Sequence, residues 1–385
     1  MKLMHKLAVG LTLGATLISV TGISAGADPA DTGWDDKVDT IVGQGSDTTY
    51  RVIGDLSSTY NQANGCDVAT SDTGTAPNFT APLSGDCKLG ANQTSTLVGG
   101  NWDHDIVVNK YPVGSSQGVK ELLGGRVDFA RSSRGPKTSG ETGSTFWGFA
   151  KDGIAIVVMG GRAPLNLTQA QAAGIWNCTI TDWNQLDNTL PSAPIYPYGM
   201  NPSSGTKASM DSFLGFDANA GACVKKLSTN VYPFENDVKQ LIDTPAAGTT
   251  LDNSIWWGSY AEFKTYAYKR QSADYASING VEISNGNIAN NSYAIKRYIY
   301  HVTRSADASP TATGGGTTGA DTGKAGAVRE YTEWLCKPKS AHINSDYTGQ
   351  SLYDINTSTI SNNGFQRVPT AERTNGGVCA VAVAP

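Results

Sequence analysis

Three times along this chain a short apolar run stops at a cluster of Gly, Ser and Thr, and apolar residues at helical spacing follow at once. Ile41 and Val42 lead into GQGSDTT, after which Val52, Ile53, Leu56 and Tyr60 share one face. The run at 105–108 leads into GSSQG ahead of Val119, Leu122 and Leu123, and the strand-like stretch 195–198 leads into NPSSGT ahead of Met210, Phe213 and Leu214. A repeated strand, tight polar turn and helix restricts the chain to an α/β architecture. Each turn is also a helix N-terminus, where backbone N–H groups lack partners within the helix and suit an anion. A single turn of this kind is ordinary helix capping by serine, since serine is a preferred cap everywhere. Three of them point to convergence on one oxygen-rich ligand.

The amino terminus sets the compartment. A basic start, MKLMHK, is followed by an apolar stretch over 7–20 and by Ala25-Gly26-Ala27 before Asp28, the order of a secretory signal peptide over residues 1–27. No cysteine stands at that cleavage site to carry a lipid anchor, and no later apolar run is long enough to span a bilayer. What remains is comfortable for two domains. Six cysteines are an even count in an exported chain, and none forms a C-x-x-C pair. Disulfides are therefore expected. Of the fifteen possible connectivities, the sequential one (Cys66 with Cys87, Cys178 with Cys223, Cys336 with Cys379) closes the shortest loops and is preferred. A net charge of −5 with 16% charged residues lacks the basic stripe that nucleic acid requires, so an anion here is held by local donors.

Between these landmarks, 28–40 reads as a polar arm and 65–101 as a long loop stapled by Cys66 and Cys87. The nearly continuous β-branched run at 153–159 (GIAIVVM) reads as a strand buried on both faces of a parallel sheet, carrying the chain into a second domain. A helix is expected from 167 through 175 and a capped turn at Asp182. The aromatics of 254–268 are read as core and interdomain packing, with a stacking wall for a ring-bearing ligand as the sharper alternative. Residues 293–302 form a strand returning the chain to the first domain. A loop over 305–326, a helix over 327–335 and a loop-rich tail tied down by Cys336 and Cys379 complete the reading.

Two patterns suggest catalysis. Gly114-Ser115-Ser116-Gln117-Gly118 fits the G-x-S-x-G nucleophile elbow with Ser116 as nucleophile, but its only downstream histidines, His301 and His342, have no supporting signature, and His301 lies in an apolar strand. GADTGKA at 319–325 has three residues between its glycines and Ala where a phosphate-binding P-loop needs Ser or Thr. The histidines are too scattered for a metal site. No catalysis, cofactor or metal is expected.

In order along the chain, GQGSDTT, YPVGSSQGVKELLGGRVDFA, GIAIVVM with LTQAQAAGIWNCTITDWNQL, and NPSSGTKASMDSF are similar to the motifs of PstS-type phosphate-binding proteins, the extracytoplasmic receptors of phosphate ABC importers. The matches span roughly 40–300. The resemblance implies a periplasmic-binding-protein-like type II α/β fold, with one lobe from 28–151 plus 293–385, a second from 152–292, and a ligand cleft between two crossovers. It implies ligand contacts from Ser46, Asp47 and Thr48, from Ser115 with its neighbour Ser116, and from Ser204, Gly205 and Thr206. Two positions depart from the family. Ser133 stands where members hold the Asp that accepts the proton of bound phosphate, and Met200 stands where they carry an Arg four residues before the Ser of Ser-Gly-Thr. A carboxylate acceptor favours protonated phosphate and a bidentate Arg adds charge-assisted bonds, so Asp47 is the alternative acceptor and Arg131 or Arg134 the alternative cation. Implied further are a small phosphate-like anion as ligand, membrane subunits of an ABC importer as partners, a secreted or cell-surface location and a monomeric state. Alternatives from other classes are a secreted serine hydrolase built on GSSQG and an adhesion or scaffold module on the same fold.

Overall fold

The computed structural model describes residues 40–63, 66–68, 85–87, 106–160, 165–235, 241, 243, 245–265, 275–307, 324–336, 358–374 and 377–383. The leader, the 28–39 arm, His104, His342 and most of the 65–101 loop lie outside them.

Each of the three polar turns joins the strand and helix expected of it. Strand β1 (Thr40–Gly45) leads to α1 (Tyr50–Ala63); after the short ribbon β2 (Cys66–Val68) and β3 (Gly85–Cys87), β4 (Ile106–Asn109) leads to α2 (Ser115–Leu123) and β5 (Phe129–Ser132). Strand β6 (Ser144–Val158) is the spine, fifteen residues long and buried except at Trp147. Beyond it come β7 (Asn166–Leu167), α3 (Gln169–Trp176), β8 (Tyr196–Pro197), α4 (Gly205–Leu214), β9 (Ser254–Ser259), α5 (Tyr260–Thr265), β10 (Ser277–Ile278) and α6 (Asn285–Ala289). Strand β11 (Lys296–Arg304) returns the chain along β6, and α7 (Lys324–Cys336), β12 (Gln366–Arg367) and β13 (Ala380–Val383) follow.

The main sheet runs β4-β1-β5-β11-β6-β9-β8, with β12 and β13 also on β6. Strand β1 is parallel to β4 and β5, and β8 is parallel to β9. All the neighbours of β6, however, are antiparallel. The parallel setting expected for GIAIVVM is therefore corrected. A strand covered on both faces becomes continuously apolar whichever way its neighbours run, so the pattern reports burial and not direction. The run also belongs to a strand that begins nine residues before Gly153, through Lys151 and Asp152, which are buried and charged.

Past Ile154, β6 packs into a core that includes Ile175, Trp176, Trp183, Trp256, Trp257 and Tyr293. Before Ala150 it serves two others, one around Ile53, Phe129, Tyr331 and Trp334 and one around Val42, Val119, Leu122 and Val302. The aromatics at 256, 257 and 263 are core: Trp257 meets Trp176 edge-on at 5.0 Å and Trp256 meets Phe263 at 5.9 Å. Their N–H needs are partly met in place, as Trp256 Nε1 donates to the Gly199 carbonyl. The tail is less irregular than expected, because β12 and β13 complete the antiparallel edge of β6. Segments of two and four residues are too short to carry a period-2 signal above background.

Cys178 with Cys223 and Cys336 with Cys379 form disulfides. Cys66 and Cys87 are opposed across the β2/β3 ribbon; their side chains lie outside the described set. Among the described residues no helix is long and apolar enough to cross a membrane.

Candidate functional site

The turn before α2 is capped by Gly114, at φ 91°, and not by a serine. A side chain there is disfavoured twice, by the positive φ and by the Ser203 carbonyl oxygen, which would lie 2.5 Å from an added Cβ. Val113 and Gly114 donate their N–H groups to the Gly45 carbonyl, seating this turn on the first one. Ser115 is thereby released from capping. Its Oγ accepts the Ser133 N–H at 3.0 Å and lies 3.3 Å from Ser133 Oγ.

At α4 the cap is the expected kind. Ser204 Oγ accepts from the N–H groups of Thr206 and Lys207 and donates to Met200 Sδ. Met200, where the family carries Arg, thus fills an apolar, fully buried position behind the cap. Gly205 brings the turns together: an added Cβ would fall 2.4 Å from Ser115 Oγ and 2.5 Å from Ser133 Oγ. Alanine is the better helix former by about 1 kcal/mol, yet Gly205→Ala is expected to lower stability by about 1–3 kcal/mol as an overpacking change. Thermal unfolding checks this, and a rise in Tm would show that the turns are not in contact.

The first turn meets the others through Thr48, whose Oγ1 lies 3.3 Å from Thr206 Oγ1. Both hydroxyls donate to the same atom, Glu235 Oε2, each at 2.5 Å. Glu235 Oε1 accepts the Ser259 N–H at 2.6 Å, at the junction of β9 and α5, and faces Arg297 Nη2 at 3.5 Å. Arg297 extends from β11 opposite Asp152 on β6, whose Oδ2 it holds with Nε at 3.2 Å and Nη2 at 2.8 Å. Its Nη1 donates to Thr206 Oγ1 at 2.6 Å and to the Ser133 carbonyl at 3.1 Å. One guanidinium therefore ties the turn before α4 and the turn after β5 to the central strand pair.

Carboxylates crowd this region. Burial, reinforced by the charge of Glu235 and opposed by Arg131, pushes Asp47 up to about 7. Burial likewise raises Glu262 well above the usual range, against the pull of Arg51 and with further push from Glu235, Asp152 and Asp47. Arg131 is lowered to about 10 by burial. Its Nη groups donate to Asn109 Oδ1 and the Lys110 carbonyl.

The expected residues divide accordingly. Thr48, Ser115, Ser133, Ser204, Gly205 and Thr206 come together; Ser46 and Asp47 are buried at the same turn, where Ser46 N–H donates to the Arg131 carbonyl. Arg134 does not join them, because Glu141 takes both of its Nη groups, at 3.0 and 2.5 Å. Ser116 lies on that side too, its Oγ accepting from Arg134 and Lys137. His301, the described partner for a triad, is buried against Phe129 and Tyr331 and bonded to Thr332. Among the described residues no cluster of His, Cys, Asp and Glu is suited to a metal. Sequence reasoning missed Arg297 and Glu235. Arg297 had a signal, a cation inside an apolar strand, which did not name its partner; Glu235, in the polar loop FEND, had none.

The PBP superfamily domain matches residues 102–338. Among solved structures, a putative phosphate ABC transporter substrate-binding protein with bound phosphate from Clostridium perfringens is similar, at 17% identity and TM-score 0.52, covering 86% of this chain and 100% of that one. An ABC-type phosphate transport receptor from Vibrio cholerae is similar at 18% identity and TM-score 0.51, covering 85% of this chain and 99% of that one. No curated protein matches.

Proposed function

The chain belongs to the PBP superfamily, with a type II α/β fold, and on that premise we propose that it is an extracytoplasmic receptor that captures phosphate or a related small oxyanion for an ABC importer. The observation that carries this reading is the convergence of two hydroxyls, one backbone N–H and one guanidinium on a single carboxylate. Such a donor set, with Thr48, Thr206 and the Ser259 N–H at the starts of α1, α4 and α5 and the guanidinium from β11, is chemistry for an oxyanion. Arg297 takes the place of the cation missing at position 200, and Asp47, held near neutrality, takes that of the acceptor missing at 133. The two structural neighbours, described as phosphate transport receptors, support the same ligand class.

The proposed lobes are 28–151 with 293–385, and 152–292, hinged where β6 and β11 pass between the cores. Capture by hinge closure, release to importer membrane subunits, export by the leader and a monomeric state belong to the same proposal. No catalytic step is assigned: Ser116 accepts from two cations and has no described histidine beside it.

Isothermal titration against phosphate, sulfate and a panel of organic anions tests the ligand. Heat is expected with phosphate or another tetrahedral oxyanion, and at least tenfold weaker binding in Thr206→Val, which loses one hydroxyl donor. Heat only with an uncharged or cationic solute would end the oxyanion assignment.

A further inference from the structure

The carboxylate of Glu235 makes every bond that an oxyanion in this site would make. Its two oxygens take Thr48 Oγ1, Thr206 Oγ1, the Ser259 N–H and the face of Arg297, which uses about four lone-pair positions, the capacity of a carboxylate. It is thus saturated and has nothing left with which to receive a ligand. A second anion cannot share the same donors, since like charges a few ångströms apart in a buried site repel strongly.

Among the described residues, the stretch leading to Glu235 has few contacts other than that carboxylate. Residues 232–234 are coil, and Val231 and Phe234 are exposed apolar side chains, at 46% and 37%. The Pro233 carbonyl accepts the Asn201 N–H. Among the described residues the segment is otherwise held by burial of Pro233 and by Tyr232, which lies beside Gly199 and carries Lys226 over its ring; Glu235 itself is buried. Because that carboxylate bonds Thr48 beside α1 and Thr206 at α4, it also links the turns whose approach closes the site.

We propose that Glu235 is a built-in competing anion, occupying the oxyanion site from within and holding the turns together without solute, so that an external oxyanion binds only by displacing it. This rests on the oxyanion-receptor reading above. The apparent affinity is then the intrinsic one reduced by the fraction of molecules whose Glu235 has left the site. Such a receptor responds at higher solute concentration than one whose donors stand unoccupied.

The test compares the native chain with Glu235→Ala and with the near-isosteric Glu235→Gln, each first shown to unfold cooperatively, by calorimetric titration with inorganic phosphate and by small-angle scattering. Both variants are expected to bind phosphate at least tenfold more tightly than the native chain. In scattering, the native chain is expected to be compact with or without phosphate, and Glu235→Ala to be expanded until phosphate is added. A native chain that binds phosphate, with folded variants that bind no more tightly, would overturn the inference and leave the receptor reading standing. No heat and no change in radius for the native chain and both variants would overturn both. If Glu235→Ala does not fold, the Glu235→Gln titration alone decides.

Discussion

Arg297→Met is expected to abolish oxyanion binding and to lower the stability of the folded chain by about 3–5 kcal/mol, the cost of removing one partner from a buried ion pair. The guanidinium is 5% exposed and pairs with Asp152 and Glu235, both 1% exposed. Without it, two buried carboxylates remain beside Asp47 and Glu262, and Arg131 is committed to Asn109 and Lys110. The Thr206 hydroxyl and the Ser133 carbonyl lose their donor as well. Methionine conserves much of the volume, so the loss reports charge and hydrogen bonding, not a cavity. Urea unfolding measures it, and a loss below about 1 kcal/mol would show that the pair is solvated. Adding Asp152→Asn to Arg297→Met is expected to recover part of the loss, because residues in one network are coupled.

The second large effect is acid sensitivity through His301. Thr332 Oγ1 donates to the Val328 carbonyl, so the bond between Thr332 and His301 Nε2 places the imidazole proton on Nε2. Nδ1 is buried without a partner among the described residues. Burial holds the group down to about 3. The folded-state value lies below the unfolded one, so the neutral ring contributes its full stability above pH 6.5, and that contribution is lost as pH falls from 6.5 through about 3. Over the whole window the loss amounts to about 3–5 kcal/mol, at roughly 1.4 kcal/mol per unit. Asp47 and Glu262 oppose it: their folded-state values are raised, so their contribution is present at low pH and lost as pH rises, for Asp47 through about 7. The difference between the native chain and His301→Gln cancels those terms. Unfolding at pH 7.5, 5.5 and 4.5 is expected to show the native chain losing stability more steeply than the variant, and parallel curves would remove His301 from the acid transition.

Much of the fold was legible because it rests on local patterns. Apolar residues of α1 and α2 at helical spacing, the burial of β6, the Asp182 cap and two of the three cysteine pairings are properties of neighbouring residues or of loop length. The direction of the neighbours of β6 was not, since two-face burial looks the same in either sense. The serine cap expected at α2 proved to be Gly114, because the position is set by the Ser203 carbonyl eighty-nine residues away.

The candidate site divides along the same line. Thr48, Ser115, Ser204, Gly205 and Thr206 were marked in advance by turns that their own sequences make. That Arg297 meets Thr206 and Ser133, that Arg134 belongs to Glu141, and that Glu235 takes the hydroxyls of the first and third turns was decided by tertiary structure alone. The sequence determined that the chain would build helix N-termini lined with hydroxyls, a consequence of local backbone chemistry. Which charge meets them depends on residues brought together across 187 positions between Thr48 and Glu235 and 145 between Asp152 and Arg297. Which charges pair leaves no local trace when the partners are that far apart, because desolvation and Coulomb energy are set by final positions and not by order along the chain.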